Sequence, residues 1–236
     1  MSRLSTTDSN ESLVNYLCRR KHITQPIIRL AFLKVDRGHY APKNPSEDSP
    51  QLLDHQATIS APYMHAKAVE LLLPYLLPKT EQHINSEEAL VGRTRRILDI
   101  GSGSCFLSVV VGVDHIEELR ELGETNMCKS ASGAALLASK RVRICLGDGR
   151  KGWSEPDSTG EDGGWDAIHV GAAAVRLHDE LERQLRSAGR LFISVAEIED
   201  DWFSDKYIWM VDKDEEGNIT KTKWCQAQYV SLMDAP

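Results

Sequence analysis

The chain has 236 residues, of which 41% are hydrophobic and 27% charged, and its formal net charge is −7. Such a length and composition suit one globular α/β domain, and an acidic balance with no long basic run argues against a nucleic-acid partner, which needs clustered lysine and arginine. The five cysteines, Cys18, Cys105, Cys128, Cys145 and Cys225, are odd in number and lack C-x-x-C spacing, so no metal site or disulfide framework is expected and reduced cytoplasmic thiols are.

The opening MSRLSTTDSN has no apolar h-region, and no stretch reaches the ~18 to 20 apolar residues of a membrane span, so neither a secretory signal nor a membrane partner is expected. Asp8, Ser9 and Asn10 offer N-cap oxygens to a helix carrying Leu13, Val14 and Leu17. A second helix starts at Pro26 and carries Ile27, Ile28, Leu30, Ala31 and Leu33. Residues 38–60, rich in Pro, Asp and Ser, read as an extended loop. A third helix follows from about Met64 to Leu77, kinked or ended early by Pro74, and then the polar insert TEQHINSEEALVGRT.

Short apolar runs RRILDI, VVVGVD, RVRICLGD, WDAIHVG and GRLFISV then recur with helical segments between most of them. That alternation predicts a doubly wound, mostly parallel sheet. YIWMVD and CQAQYVSL have no helix between them and predict an antiparallel finish. The expected architecture is a single domain, 1–236, with an N-terminal flap and substrate loop in 1–63 and a seven-stranded Rossmann-like sheet with its helices in 64–236.

Open α/β sheets bind ligands at the carboxyl ends of their strands. ILDIGSGS puts Asp99, Gly101 and Gly103 at such an end, VVVGVDHI adds Asp114 and His115, and GDGR adds Asp148 and Gly149. Asp114 suits a ribose diol and Asp148 an adenine amino group; the bland alternatives are a helix cap and a turn. A dinucleotide site would want G-x-G-x-x-G, and Phe106 occupies the third glycine position. An acid beside the glycines favours a cation over a pyrophosphate, hence the methionyl end of S-adenosylmethionine.

Upstream, VDRGHYAP (35–42), DSPQ (48–51) and ATISAPYMHA (57–66), followed in order by LDIGSGS, GVDHI, GDGR and DAIHVGAAA (166–174), resemble the protein-L-isoaspartate O-methyltransferase family. The resemblance covers the chain from about Glu11 and extends to its ending, YVSLMDAP. It implies a monomeric methyltransferase that moves a methyl group from S-adenosylmethionine to the free α-carboxylate of L-isoaspartyl residues in damaged proteins and peptides. It further implies Ser60 as the residue donating to the substrate carboxylate, and cofactor contacts from Ala57, Thr58, Ile59, Ser60 and His65. Val170, Gly171, Ala172 and Ala173 would floor the peptide-side pocket. Taken alone, Ser60 reads more readily as an N-cap for the next helix.

The chain departs from the family in one place above all. Only eight residues, Gly101 to Ser108, separate ILDI from VVVGVD, whereas a parallel crossover with a helix needs about 10 to 12. Roughly a dozen family residues are missing, and Cys105 stands where the family completes GSGSG. Smaller departures are His55, Tyr63, Ser231 and Met233. The short crossover predicts an irregular turn at Phe106, Leu107 and Ser108 or a strand drawn out of register, an exposed apolar sheet face, and a cofactor pocket open on one side. The second reading is therefore an impaired relic or transcript variant that keeps the fold and at most weak cofactor or protein binding.

Overall fold

The computed structural model describes residues 8–53, 55, 57–77, 95–107, 111–154, 164–199, 201, 203–227, 229–230 and 232. Helix α1 (Asn10–Arg19) starts at Ser9, whose hydroxyl accepts from the Ser12 amide while the Ser12 hydroxyl accepts from the Ser9 amide. Two otherwise bare groups are satisfied by that reciprocal pair. Helix α2 (Pro26–Lys34) opens on proline, whose fixed φ suits a first turn. Leu13, Val14 and Leu17 of α1 pack with Ile28 and Phe32 of α2 and with Ala66.

The loop that follows is tighter than its composition suggests. It contains a 3-10 turn, Arg37–His39, and a two-stranded antiparallel ribbon of β1 (Gln51–Leu52) and β2 (Thr58–Ile59). Helix α3 (Pro62–Leu76) begins two residues earlier than expected, and Pro74 is accommodated within its last turn. The TEQHINSEEALVGRT insert, residues 80–94, lies outside the described residues.

The main sheet has seven strands: β3 (Ile97–Ile100), β4 (Val111–Asp114), β5 (Arg143–Leu146), β6 (Trp165–Ala174), β7 (Leu185–Ala196), β8 (Lys206–Lys213) and β9 (Ile219–Gln226). Their order is β5-β4-β3-β6-β7-β8-β9, parallel through β7 and antiparallel from β7 to β8 and from β8 to β9. Helices α4 (Glu117–Cys128) and α5 (Ala131–Ala138) link β4 to β5, and α6 (Asp179–Gln184) links β6 to β7. One face buries Leu98, Ile100, Val111, Val113, Ile168 and Val170. The other buries Ile97, Ala167 and Phe192 against Met64, Ala68 and Leu72 of α3. At ~1.5 to 3 kcal/mol for each large apolar side chain taken from water, these two layers hold the sheet.

Two expectations need correction. The closing strand starts earlier than CQAQYVSL and takes in only its Cys225 and Gln226: β9 ends at Gln226, and Val230 and Leu232 instead pair with Ala173, the Ala173 amide donating to Val230 O and the Leu232 amide to Ala173 O, both at 2.7 Å. Strand β3 pairs with β6 only as far as Val170, so the edge of β6 beyond it is open to this pairing while Ala173 stays opposite Ser194 of β7.

The second correction concerns the crossover. Phe106 and Leu107 form an irregular bend, and Ser108 lies outside the described residues. Strands β3 and β4 nevertheless keep parallel register, Leu98 opposite Val111 and Ile100 opposite Val113. The apolar face is not exposed there, because every residue of β3 and β4 is buried. Phe106 fits edge-on against Phe32 and Tyr40, at ring separations of 5.9 and 5.5 Å, and Leu107 joins the layer under α3. The N-terminal segment thus meets the bend directly.

No helix among the described residues is long and apolar enough to cross a membrane, and none of their His, Cys, Asp and Glu side chains cluster as a metal site.

Candidate active site

Chain order reverses direction between β3 and β6, and such a switch point leaves a crevice at the carboxyl ends of the two strands. Gly101 leaves β3 with φ 68°. Gly171 of β6 faces it so closely that a β-carbon there would stand 3.0 Å from Gly101 O. Gly103, at φ 48°, sits below Leu53 of the β1–β2 hairpin. Cys105 follows with φ 64°, a left-handed conformation that costs a residue with a β-carbon ~1 to 2 kcal/mol.

The three acids are held differently. Asp99 is the register partner of His169, and His169 Nδ1 lies 2.7 Å from Asp99 Oδ1, with both residues buried. The other ring nitrogen of His169 has no hydrogen-bond partner among the described residues, and the ring stacks on Phe192 at 5.6 Å. Asp114 is 4% exposed and accepts from the Gly103 amide at 3.0 Å and the Ile116 amide at 3.2 Å. Burial raises its pKa, while the amides and His115, 3.5 Å away, pull the other way. Asp148 caps the 3-10 turn Gly149–Lys151 and forms a two-point pair with Arg150 at 2.8 and 2.9 Å. That hydrogen bonding holds Asp148 below the ordinary carboxylate range. Gly149 answers to packing, since a β-carbon there would overlap Ile100.

Ser60 stands between β2 and α3. The cap position of α3 is Ala61, with no side-chain hydrogen bond, so the Ser60 hydroxyl is not used as a cap. Ser60 lines a cavity of about 460 Å³ together with Thr58, Tyr63, Gly171, Tyr229 and Val230. Ile59, by contrast, is buried among Tyr40, Ala41 and Cys105, and the Ala57 carbonyl accepts from the Leu53 amide at 2.8 Å. Strand alternation turns Val170 and Ala172 into the apolar core and buries Ala173, so of the four expected floor residues only Gly171 lines the cavity.

Several residues in this region escaped the sequence reading. Arg37 is 1% exposed; its guanidinium donates to Ser60 O at 2.8 Å and lies 3.3 Å from His65 Nδ1. His65 is pulled well below the usual imidazole range by burial, then by Arg37 and His169. Its ring lies 5.0 Å from that of Phe106, over which Arg37 is stacked at 5.2 Å. Burial pushes the Tyr229 hydroxyl well above the ordinary phenol range, and the Ser60 side chain acts on it in the opposite sense. A polar histidine inside the apolar run DAIHVG was the available signal for His169; nothing local marked Arg37.

The donor set fits a nucleoside with a cationic tail. Carboxylates end three strands, glycines admit close backbone approach, and each Asp114 oxygen retains a lone pair beyond the amide it accepts from.

Residues 8–236 match the family model for protein-L-isoaspartate (D-aspartate) O-methyltransferase. The chain is 33% identical over 241 residues to protein-L-isoaspartate O-methyltransferase 1 of Arabidopsis thaliana, covering 97% of this chain and 93% of that one. It is 33% identical over 210 residues to the protein-L-isoaspartate O-methyltransferase of Caenorhabditis elegans, covering 84% and 83%. A crystal structure from Plasmodium falciparum, described as a protein-L-isoaspartate O-methyltransferase in complex with S-adenosyl-L-homocysteine, superposes with a TM-score of 0.78 at 27% identity, covering 96% of this chain and 99% of that one. With strand order, glycine crevice and sequence in agreement over nearly its whole length, the chain belongs to the protein-L-isoaspartate (D-aspartate) O-methyltransferase family.

Proposed function

We propose that this protein methylates the free α-carboxylate of L-isoaspartyl residues in damaged proteins and peptides, with S-adenosylmethionine as donor. The observation that carries the reading is the shared cavity of Ser60 and Gly171, placed beside the glycine turn at the switch point. When bound, the cofactor supplies a methyl group already activated on a sulfonium. The accepting carboxylate is ionised at neutral pH, so no general base is required and catalysis rests on alignment.

In this reading the Ser60 hydroxyl donates to the substrate carboxylate. His65, Asp99, Gly101 and Gly103 flank the methionyl portion. Asp114 and His115 lie at the ribose and Asp148 at the adenine, whereas Ala57, Ile59 and Gly149 shape these walls by packing. Gly171 and the backbone of Val170, Ala172 and Ala173 form the peptide floor. The protein acts as a cytoplasmic monomer on peptide chains, with no nucleic-acid or membrane partner, and 1–63 serves as the flap of a single domain. Strand packing and register are intact beside the short crossover, which removes the exposed sheet face that prompted the relic reading.

The test compares methyl transfer to an isoaspartyl peptide and to its aspartyl twin. Transfer to the first alone is expected. Equal or absent transfer to both sinks the substrate assignment, and absent binding of S-adenosylhomocysteine in calorimetry would return the relic reading.

A further inference from the structure

Arg37 sits in the 3-10 turn that precedes the hairpin leading to Ser60, and its side chain is almost wholly buried. A guanidinium taken from water loses several kcal/mol of hydration unless an anion or a full set of hydrogen bonds replaces it. Neither is present among the described residues. Its Nε has no partner, and Asp48, the acid that acts on it, does so through longer-range attraction. Burial pulls Arg37 down to about 10, which leaves it protonated at neutral pH. For folding alone, an apolar side chain of similar volume would serve as well or better.

Besides its stacking on Phe106, the guanidinium makes two polar contacts, both to the site. One Nη donates to the Ser60 carbonyl at 2.8 Å and the other lies 3.3 Å from His65 Nδ1. A guanidinium has no acceptor, so Nδ1 must accept and the neutral His65 ring must carry its proton on Nε2. The charged and titratable groups acting on His65 are Arg37 from the turn and His169 from β6, the latter paired with Asp99, while Phe106 of the crossover packs on the ring. Among the described residues Asp48 acts on Arg37, and no acid is among the groups that act on His65.

We propose that Arg37 is a positioning residue for methyl transfer: it fixes the backbone that presents Ser60, locks His65 as the neutral Nε2–H tautomer, and keeps a positive charge behind the place of the substrate carboxylate. This rests on the function proposed above. Deleting the charge should therefore separate stability from activity, which a structural arginine would not do.

The experiment uses the full chain as wild type, Arg37→Met and Arg37→Lys, with three readouts: thermal midpoint, kinetics on an isoaspartyl peptide, and the tautomer and titration of His65 by nitrogen-15 NMR. Arg37→Met should keep or raise the midpoint and lower kcat/KM by about 100-fold, the scale for misplacing a reacting group by an ångström. Its His65 should take up a proton at higher pH than in wild type, and its rate should fall on the acid side where the wild-type rate holds. Arg37→Lys keeps the charge without the two-armed reach, so its rate should lie between the two. A folded Arg37→Met protein with wild-type kinetics overturns the proposal, as does an unchanged His65 titration. If the Met variant does not fold, the Lys variant decides: wild-type kinetics and titration there also overturn it. Should wild type transfer nothing to the peptide, the functional reading fails, while the His65 titration still tests what Arg37 does to it.

Discussion

Cys105 Sγ occupies the space that a β-carbon at Gly123 would need. The contact joins two local liabilities. Cys105 holds a left-handed conformation in the last position of the glycine turn, and Gly123 interrupts α4, where glycine costs about 1 kcal/mol against alanine. Each makes sense beside the other, because a thiol buried at 2% exposure fills the groove that the helical glycine opens.

A double-mutant cycle follows from that contact. Gly123→Ala should lower stability by about 1 to 3 kcal/mol through overpacking, despite the better helix former. Cys105→Gly should be close to neutral, since relief of the left-handed strain offsets the lost thiol packing. In the Cys105→Gly background, Gly123→Ala should become neutral or stabilising. Urea unfolding of the four proteins measures it, and an equal Gly123→Ala effect in both backgrounds removes the contact as the cause.

Ser60→Ala should reduce methyl transfer to an isoaspartyl peptide by about 10- to 1000-fold, the scale for losing a donor at a reacting oxygen. Affinity for S-adenosylhomocysteine should change little, and so should stability, because the hydroxyl does not cap α3. An unchanged rate takes the role from Ser60.

Asp114→Ala should act on the cofactor side. It removes the acceptor of the Gly103 and Ile116 amides as well as the one proposed for the ribose. Calorimetry with S-adenosylhomocysteine should show a loss of roughly 1 to 3 kcal/mol, and Asp114→Asn, which keeps one acceptor oxygen, should lose less. Equal affinity in all three proteins excludes Asp114 from the site.

How much of this was legible in the sequence depended on the range of the cause. Strands β3 to β8 were legible because each is an apolar run that needs no partner to be recognised. Strand β9 was legible only at its end, Cys225 and Gln226, since Lys221, Lys223 and Thr222 give the rest the polar look of a sheet edge, where charge discourages further pairing. The missing crossover helix could be counted from eight residues, but not what replaced it: Phe106 meets Phe32 and Tyr40, more than 60 positions earlier. Asp99 and His169 are likewise joined only by strand register. Arg37 looked like a loop residue because its side chain is buried by contacts with Ser60, His65 and Phe106, all more than 20 positions later, which no local pattern encodes.

The pH dependence of stability should be set by imidazoles held neutral. Burial is the first cause lowering His65, His22 and His178, with Arg37 and His169 adding to it at His65, Lys67 at His22, and Arg176 at His178. A group whose folded pKa is depressed binds its proton first in the unfolded chain, so stability is complete above about 6.5 and drains away as pH falls below it. Asp48 and Asp114 work in the opposite sense. Burial raises both, so the folded chain takes up their protons first and recovers stability once pH drops toward the carboxylate range. Between those ranges the described histidines act, and the buried His65 weighs most, at about 1.4 kcal/mol per unit of depression, whereas solvent screening leaves the part-exposed His22 and His178 with less. The thermal midpoint should therefore fall by several degrees from pH 7 to pH 5, at about 2 to 4 °C per kcal/mol for a chain of this size. His65→Gln, which cannot be charged, should flatten part of that fall. A midpoint that holds constant across the interval, or a His65→Gln curve parallel to wild type, would mean that the buried rings are protonated in place and that Arg37 does not keep His65 neutral.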